Sequence, residues 1–167
     1  MLLSHHHLDG FWKIAASIST RSFFFLLLLK DRLSTTRDLL RRKGMALQSH
    51  DCVLCDHNTM KTLQHLFLLC PLDIQFWASI GLTIPASDNY IDVIISFRRQ
   101  LDIPFFMEVI ILSCRGIWMT RNDLIFRNQH PSLQGCQNTF KKEFALALHR
   151  AKNSVVDLMN EWIYCHL

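Results

Sequence analysis

Glycine and proline are scarce in this 167-residue chain, at five and four residues, and charged side chains make up only 19% of it. An all-β protein of this length needs turns rich in glycine and proline at short intervals, so their shortage excludes that class and favours long helices. Low charge together with 50% hydrophobic residues excludes disorder as the main state. A membrane-spanning run is also missing. The one candidate, Phe23 to Leu29, has seven apolar residues between Arg21 and Lys30, whereas a span needs about 20. It is expected to be a buried helix segment, with no membrane partner. Met1 to Gly10 holds three histidines and no basic stretch, which excludes the pattern of a secretory signal. The expected setting is intracellular and reducing, the nucleus or the cytoplasm. There the six cysteines are expected to be metal ligands and buried thiols rather than a disulfide framework. A net charge of +4 is compatible with a polyanion but falls far short of a dense basic surface.

What is present reads as a series of helices. Phe11, Trp12, Ile14, Ala15, Ile18 and the Phe and Leu run suit one or two buried helices over 11–30. A short helix follows, with Thr35 as N-cap, Asp38 three residues later and Gly44 just past a basic last turn. Residues 45–61 are polar and irregular and suit a ligand-presenting loop. Residues 62–69 suit a helix that stops near Leu69, because Pro71 steers Cys70 away from helical geometry. Pro71 can open the next helix, to about Ile80, and Gly81 can close it. The polar stretch 82–89, with Pro85, Ser87 and Asp88, is the best boundary. Helices are then expected over Tyr90 to Leu101, Pro104 to about Arg127 and Gln134 to His166. In the last of these Phe140, Phe144, Leu148, Ala151, Val155, Leu158 and Trp162 draw one apolar stripe. The expected fold is mainly α: a helical domain over 11–81 carrying a small metal-stapled loop-helix segment, then a helical C-terminal extension over 90–167.

Cys52, Cys55, His65 and Cys70 form the pattern C-x2-C-x9-H-x4-C. A C-x2-C turn brings two thiolates into one half of a tetrahedron, and a following histidine and cysteine complete it, which predicts one structural Zn2+. On a continuous α-helix a five-residue step separates side chains by about 140°, so His65 and Cys70 would not both face a metal. A helix end forced by Pro71 removes that conflict. Two other readings compete: a redox C-x2-C pair, which expects a βαβ context not legible here, and four unrelated buried residues. His50 and His57 compete as the nitrogen ligand, but each lies close to the cysteine pair, and His65 is preferred. Three cysteines and one histidine leave no open coordination position, so a catalytic metal is not expected.

These residues resemble the zinc-binding domain that follows the polymerase in plant non-LTR (LINE-type) reverse transcriptases. The resemblance is carried by Asp31-Arg32-Leu33-Ser34-Thr35, then Leu39, Arg41 and Arg42, then Cys52-Val53-Leu54-Cys55, then His65-Leu66-Phe67-Leu68-Leu69-Cys70-Pro71, and Phe76-Trp77. It covers about residues 11–81, and Ile117 to Asn128 resembles the tryptophan and Arg-Asn segment that often follows. Ser19-Thr20-Arg21 replaces a usual proline and lysine, and Lys61 stands where an acidic residue is common. The resemblance implies a retrotransposon origin and association with nucleic acid. Neither the paired aspartates of a polymerase nor the acidic cluster of a ribonuclease H is legible, so a non-enzymatic fragment or stand-alone descendant is expected, with no small-molecule substrate.

RNA or DNA, or other segments of a reverse transcriptase polyprotein, are the expected partners. Arg37, Arg41, Arg42 and Lys43 can meet phosphates, or can simply form a solvated helix end whose charge suits the dipole; both readings stand. The alternative function is a protein-interaction or oligomerisation module in which the stripe from Phe140 to Trp162 docks a partner or a second copy. Trp12, Phe67, Trp77 and Trp118 are expected in the core rather than stacked on bases. Arg121-Asn122 is expected to pin neighbouring helices by hydrogen bonds rather than to touch nucleic acid. Cys114, Cys136 and Cys165 have no partner at ligand spacing and are expected to be buried or incidental thiols, and His5 to His7 have no assigned role.

Overall fold

The computed structural model describes residues 52, 54, 55 and 62–167. Among them a π-helical segment, His65–Leu69, precedes five α-helices: α1 Pro71–Ser79, α2 Tyr90–Leu101, α3 Phe106–Arg127, α4 Leu133–Leu148 and α5 Asn153–His166. No strand occurs among the described residues, as the scarcity of turn formers required. The helices expected over 11–30 and 35–43, with Thr35, Asp38 and Gly44, lie outside the described residues.

Local chemistry accounts for most of the boundaries. Pro71 opens α1, and Cys70 caps it by accepting the Asp73 and Ile74 amides at 2.9 and 3.0 Å. Gly81, at φ +79, closes α1 with paired bonds from Gly81 N to Ala78 O and from Leu82 N to Trp77 O, a Schellman ending that favours glycine. Asn89 caps α2 by accepting the Ile91 amide at 2.9 Å, and α2 has the bounds expected from sequence. Helix α3 starts at Phe106 rather than Pro104, because Pro104 and Phe105 form a turn in which Ile103 O accepts the Phe106 amide. The single helix expected over Gln134 to His166 is two helices. After Leu148 the chain tightens through bonds from Arg150 to Ala147 and from Ala151 to Leu148, and α5 starts anew at Asn153.

That break lets the apolar stripe fold onto itself. On a continuous helix Phe140 and Trp162 would stand about 33 Å apart, yet their rings are 6.2 Å apart, and Trp162 also meets Phe144 at 5.6 Å. Phe140 and Phe144 stack at 5.5 Å, and Phe105 closes the group against Phe144 and Trp162. Helices α3 and α4 pack closely where Gly116 faces Cys136 and Phe140. The core is continuous with the metal-motif end of the chain: Phe76 of α1 meets Phe140 at 5.9 Å, and Trp77 meets Phe97 of α2 at 4.9 Å. Phe67 and Trp77 are buried, as expected of core aromatics, and Trp118 packs partly buried against the same core.

The segment 82–89 is pinned on both sides. Gln100 exchanges two hydrogen bonds of 2.8 Å with the Thr83 backbone, and Gln64 donates to Ser87 O and to Asp88 Oδ1. Among the described residues no single helix is long and apolar enough to cross a membrane.

Candidate metal centre

Cys70 sits at the junction of the π-helical segment and α1, in extended conformation (φ −69, ψ 137), so its side chain turns back from the helix end. The expected α-helical approach is replaced by a π register in which the Cys70 amide bonds His65 O, five residues back, at 2.9 Å. Wider winding brings positions five apart toward one face, and such π turns gather at functional sites. Thr62 steadies the start, its Oγ1 accepting the His65 amide at 3.1 Å. The spacing H-x4-C thus meets its geometric demand by two devices, the π turn and the proline stop, of which only the second was legible.

The result is convergence. One ligand atom from each of Cys52, Cys55, His65 and Cys70 lies within 4.8 Å of all the others. Cys52 Sγ is 4.0 Å from Cys70 Sγ, and Cys55 Sγ is 3.3 Å from His65 Nε2. A tetrahedral ion with metal–sulfur bonds of about 2.3 Å requires donor separations of about 3.8 Å, so the donor set fits zinc in both chemistry and spacing. Cys52, His65 and Cys70 are buried and Cys55 is partly exposed. His50 and His57, weighed as alternative ligands, and Lys61 lie outside the described residues.

The π register creates an orphan that the rest of the fold fills. Leu66 O loses its α partner, because the Cys70 amide has gone to His65, and its π partner Pro71 has no N–H. Arg121 of α3 fills the gap, donating from Nε to Leu66 O at 3.0 Å. Phe67 O faces Pro71 as its α partner and instead accepts the Trp77 indole N–H at 2.8 Å.

Arg121 does more than fill that gap. Its Nη1 lies 3.4 Å from Cys52 Sγ, its Nη2 is 2.6 Å from Asp73 Oδ2, and the residue is 5% exposed. Asp73, on α1, is 1% exposed. Burial pushes its carboxyl up to about 7, and the adjacent guanidinium opposes that shift. Burial likewise disfavours charge on Arg121, but Asp73 and Cys52 outweigh it and hold the guanidinium protonated. The Cys52 thiol is lowered by the hydrogen bond from Cys70, helped by the Leu54 amide and Arg121 and opposed by burial; Cys70 is raised correspondingly by that bond and by burial. A thiolate is therefore favoured at Cys52, the form a metal binds.

Sequence reasoning expected Arg121-Asn122 to pin helices, and Arg121 does so. It missed the contact with Cys52, and it missed Asp73 altogether. The available signal was phase: Arg121 continues the buried row Ile110, Cys114, Ile117, and Asp73 shares the face of Phe76, Trp77 and Ile80. Two opposite charges on two buried faces require each other.

Cys114 and Cys136 are buried thiols pushed up to about 12 by burial, while Cys165 is exposed; none of the three joins the cluster. Arg37, Arg41, Arg42 and Lys43 lie outside the described residues.

Fold and site together define a helical protein with a Cys3His cluster set into one end of its core. Residues 4–77 match the family model described as zinc-binding in reverse transcriptase, and the matched span contains all four cluster residues. No curated protein and no solved structure matches the chain.

Proposed function

We propose that this chain is a non-catalytic zinc module of retrotransposon reverse transcriptase descent, of the plant LINE type, in which Cys52, Cys55, His65 and Cys70 hold one structural zinc. The observation that carries the reading is the mutual approach of four soft and borderline ligand atoms to within 4.8 Å. The ion supplies a tetrahedral cross-link without redox chemistry. The chain's own residues do the rest: Cys52 offers a thiolate, the π turn and Pro71 aim His65 and Cys70, and the burial of three ligands limits access by water. A closed set of four protein ligands leaves no position for a substrate, which supports a stapling role and no enzyme activity.

The staple holds together a helical body that assists binding of RNA or DNA, with Arg37, Arg41, Arg42 and Lys43 as the phosphate contacts. The reverse-transcriptase family match favours that partner, and the net charge of +4 is compatible with it. A reducing nucleus or cytoplasm suits open thiolates. The deciding experiment is metal content per chain in the purified protein. One zinc per chain is expected, with loss in Cys70→Ser; no bound metal in the parent protein defeats the proposal. Binding to single-stranded RNA should weaken steeply with salt, and no affinity at low salt with zinc bound would remove the nucleic-acid part alone.

A further inference from the structure

We infer that Arg121 is a positioning residue for the metal centre, holding the Cys52 thiolate through a guanidinium that Asp73 locks in place; the inference rests on the zinc reading above. Arg121 reaches the cluster from α3, 44 positions beyond the end of the matched span at residue 77. Its three contacts use three different nitrogens: Nε on Leu66 O, Nη1 on Cys52 Sγ and Nη2 on Asp73 Oδ2. A planar fork held at three points has no rotational freedom left, so the direction of the N–H aimed at the sulfur is fixed. The Leu66 contact also ties the same fork to the π turn that aims His65 and Cys70.

Charge gives the contact its purpose. A divalent ion with three thiolates and a neutral imidazole carries one surplus negative charge, and Arg121 brings a cation into contact with the cluster. A hydrogen bond from a guanidinium disperses charge on the sulfur and orients it for the metal. Asp73 pairs the buried guanidinium, so that Arg121 is not an isolated charge in the interior. Helix α3 is therefore part of the metal site as well as of the core.

The test uses the full chain with cobalt(II) as probe, reading affinity by chelator competition and coordination by the sulfur-to-cobalt charge-transfer band. Arg121→Met with Asp73→Asn removes the fork without leaving a buried charge alone. This double variant should bind cobalt about 10–100-fold more weakly, with a displaced charge-transfer band and unchanged helix content. Arg115→Met, which breaks an ion pair to Glu143 at 3.1 Å between α3 and α4 away from the cluster, should leave affinity and band unmoved. If the double variant does not fold, Arg121→Lys serves, because an ammonium keeps the charge but cannot make all three contacts; weaker binding with a shifted band is again expected. Affinity and spectrum equal to those of the parent chain, in whichever variant folds, overturn the inference. A parent chain that gives no tetrahedral cobalt spectrum is a different result, which removes the zinc reading and this inference with it.

Discussion

The stretch around the Cys3His cluster and the α3–α4–α5 body are held together by different physics. In the first, the closest contacts are between polar atoms: thiols, an imidazole, a guanidinium, a carboxylate and two carbonyls that helix geometry leaves without partners. In the second, Phe105, Phe140, Phe144 and Trp162 make a ring cluster that needs no ion. Aromatic pairs add about 0.5–1.5 kcal/mol each beyond the area they bury, so that body can carry its own stability. A cluster of ionisable ligands is repulsive or protonated until a metal fills it, and structural zinc is worth about 10–16 kcal/mol in small zinc-binding peptides. The first part is therefore expected to depend on the metal far more than the second, although α1 and Arg121 join the two.

Removing the metal is the strongest way to break this comparison. Chelation should strip hydrogen-exchange protection from amides of the π segment and the start of α1, while amides of α3 and α4 stay protected. Equal loss in both places would show one cooperative unit and end the distinction. The next largest effect comes from the other side. Phe140, fully buried and in contact with Phe76, Phe144 and Trp162, should cost about 3–5 kcal/mol when changed to Ala, measured by urea unfolding, with metal content per chain unchanged. Loss of metal together with the stability would mean that the aromatic body also shapes the cluster.

Much of this division was legible in the sequence. The ligand set follows from the C-x2-C pair and the histidine and cysteine downstream, and Pro71 and Gly81 mark ends that the structure respects. Those are local signals, in which residue type and backbone geometry are coupled within a few positions. The π register was not legible, because its freed carbonyl at Leu66 is satisfied 55 positions away by Arg121. Nor was the break between α4 and α5, where no glycine or proline interrupts 149–152 and the reason lies in the ring contacts that the fold-back permits. The pinning role of Arg121 was legible, but its contact with Cys52 and the part played by Asp73 depend on helices that meet only in the folded chain.

A smaller effect is expected at the joint. Trp77→Phe keeps a ring against Phe97 but removes the donor to Phe67 O, a bond of 2.8 Å in the interior. The carbonyl freed by Pro71 is then left without a partner, at a cost of about 1–3 kcal/mol. Because that carbonyl belongs to the turn carrying His65, metal affinity should fall along with the unfolding midpoint. A midpoint that falls with affinity untouched would place Trp77 wholly in the aromatic body.

The smallest effect tests whether α3 and α4 are packed to their limit, as a body stabilised by contact alone might be. Gly116 lies inside α3, where glycine is about 1 kcal/mol less favourable than alanine. A methyl group added there would stand 3.7 Å from Cys136 O, 3.8 Å from Phe140 N and 3.9 Å from Phe140 Cβ. Those are ordinary contact distances, so no neighbour has to move and the helix preference decides the sign. Gly116→Ala should raise the urea midpoint by the equivalent of about 0.5–1 kcal/mol with the denaturant slope unchanged. A lowered midpoint would mean that the backbones at this crossing already sit as close as they can, and that the α3–α4 contact tolerates no added atom.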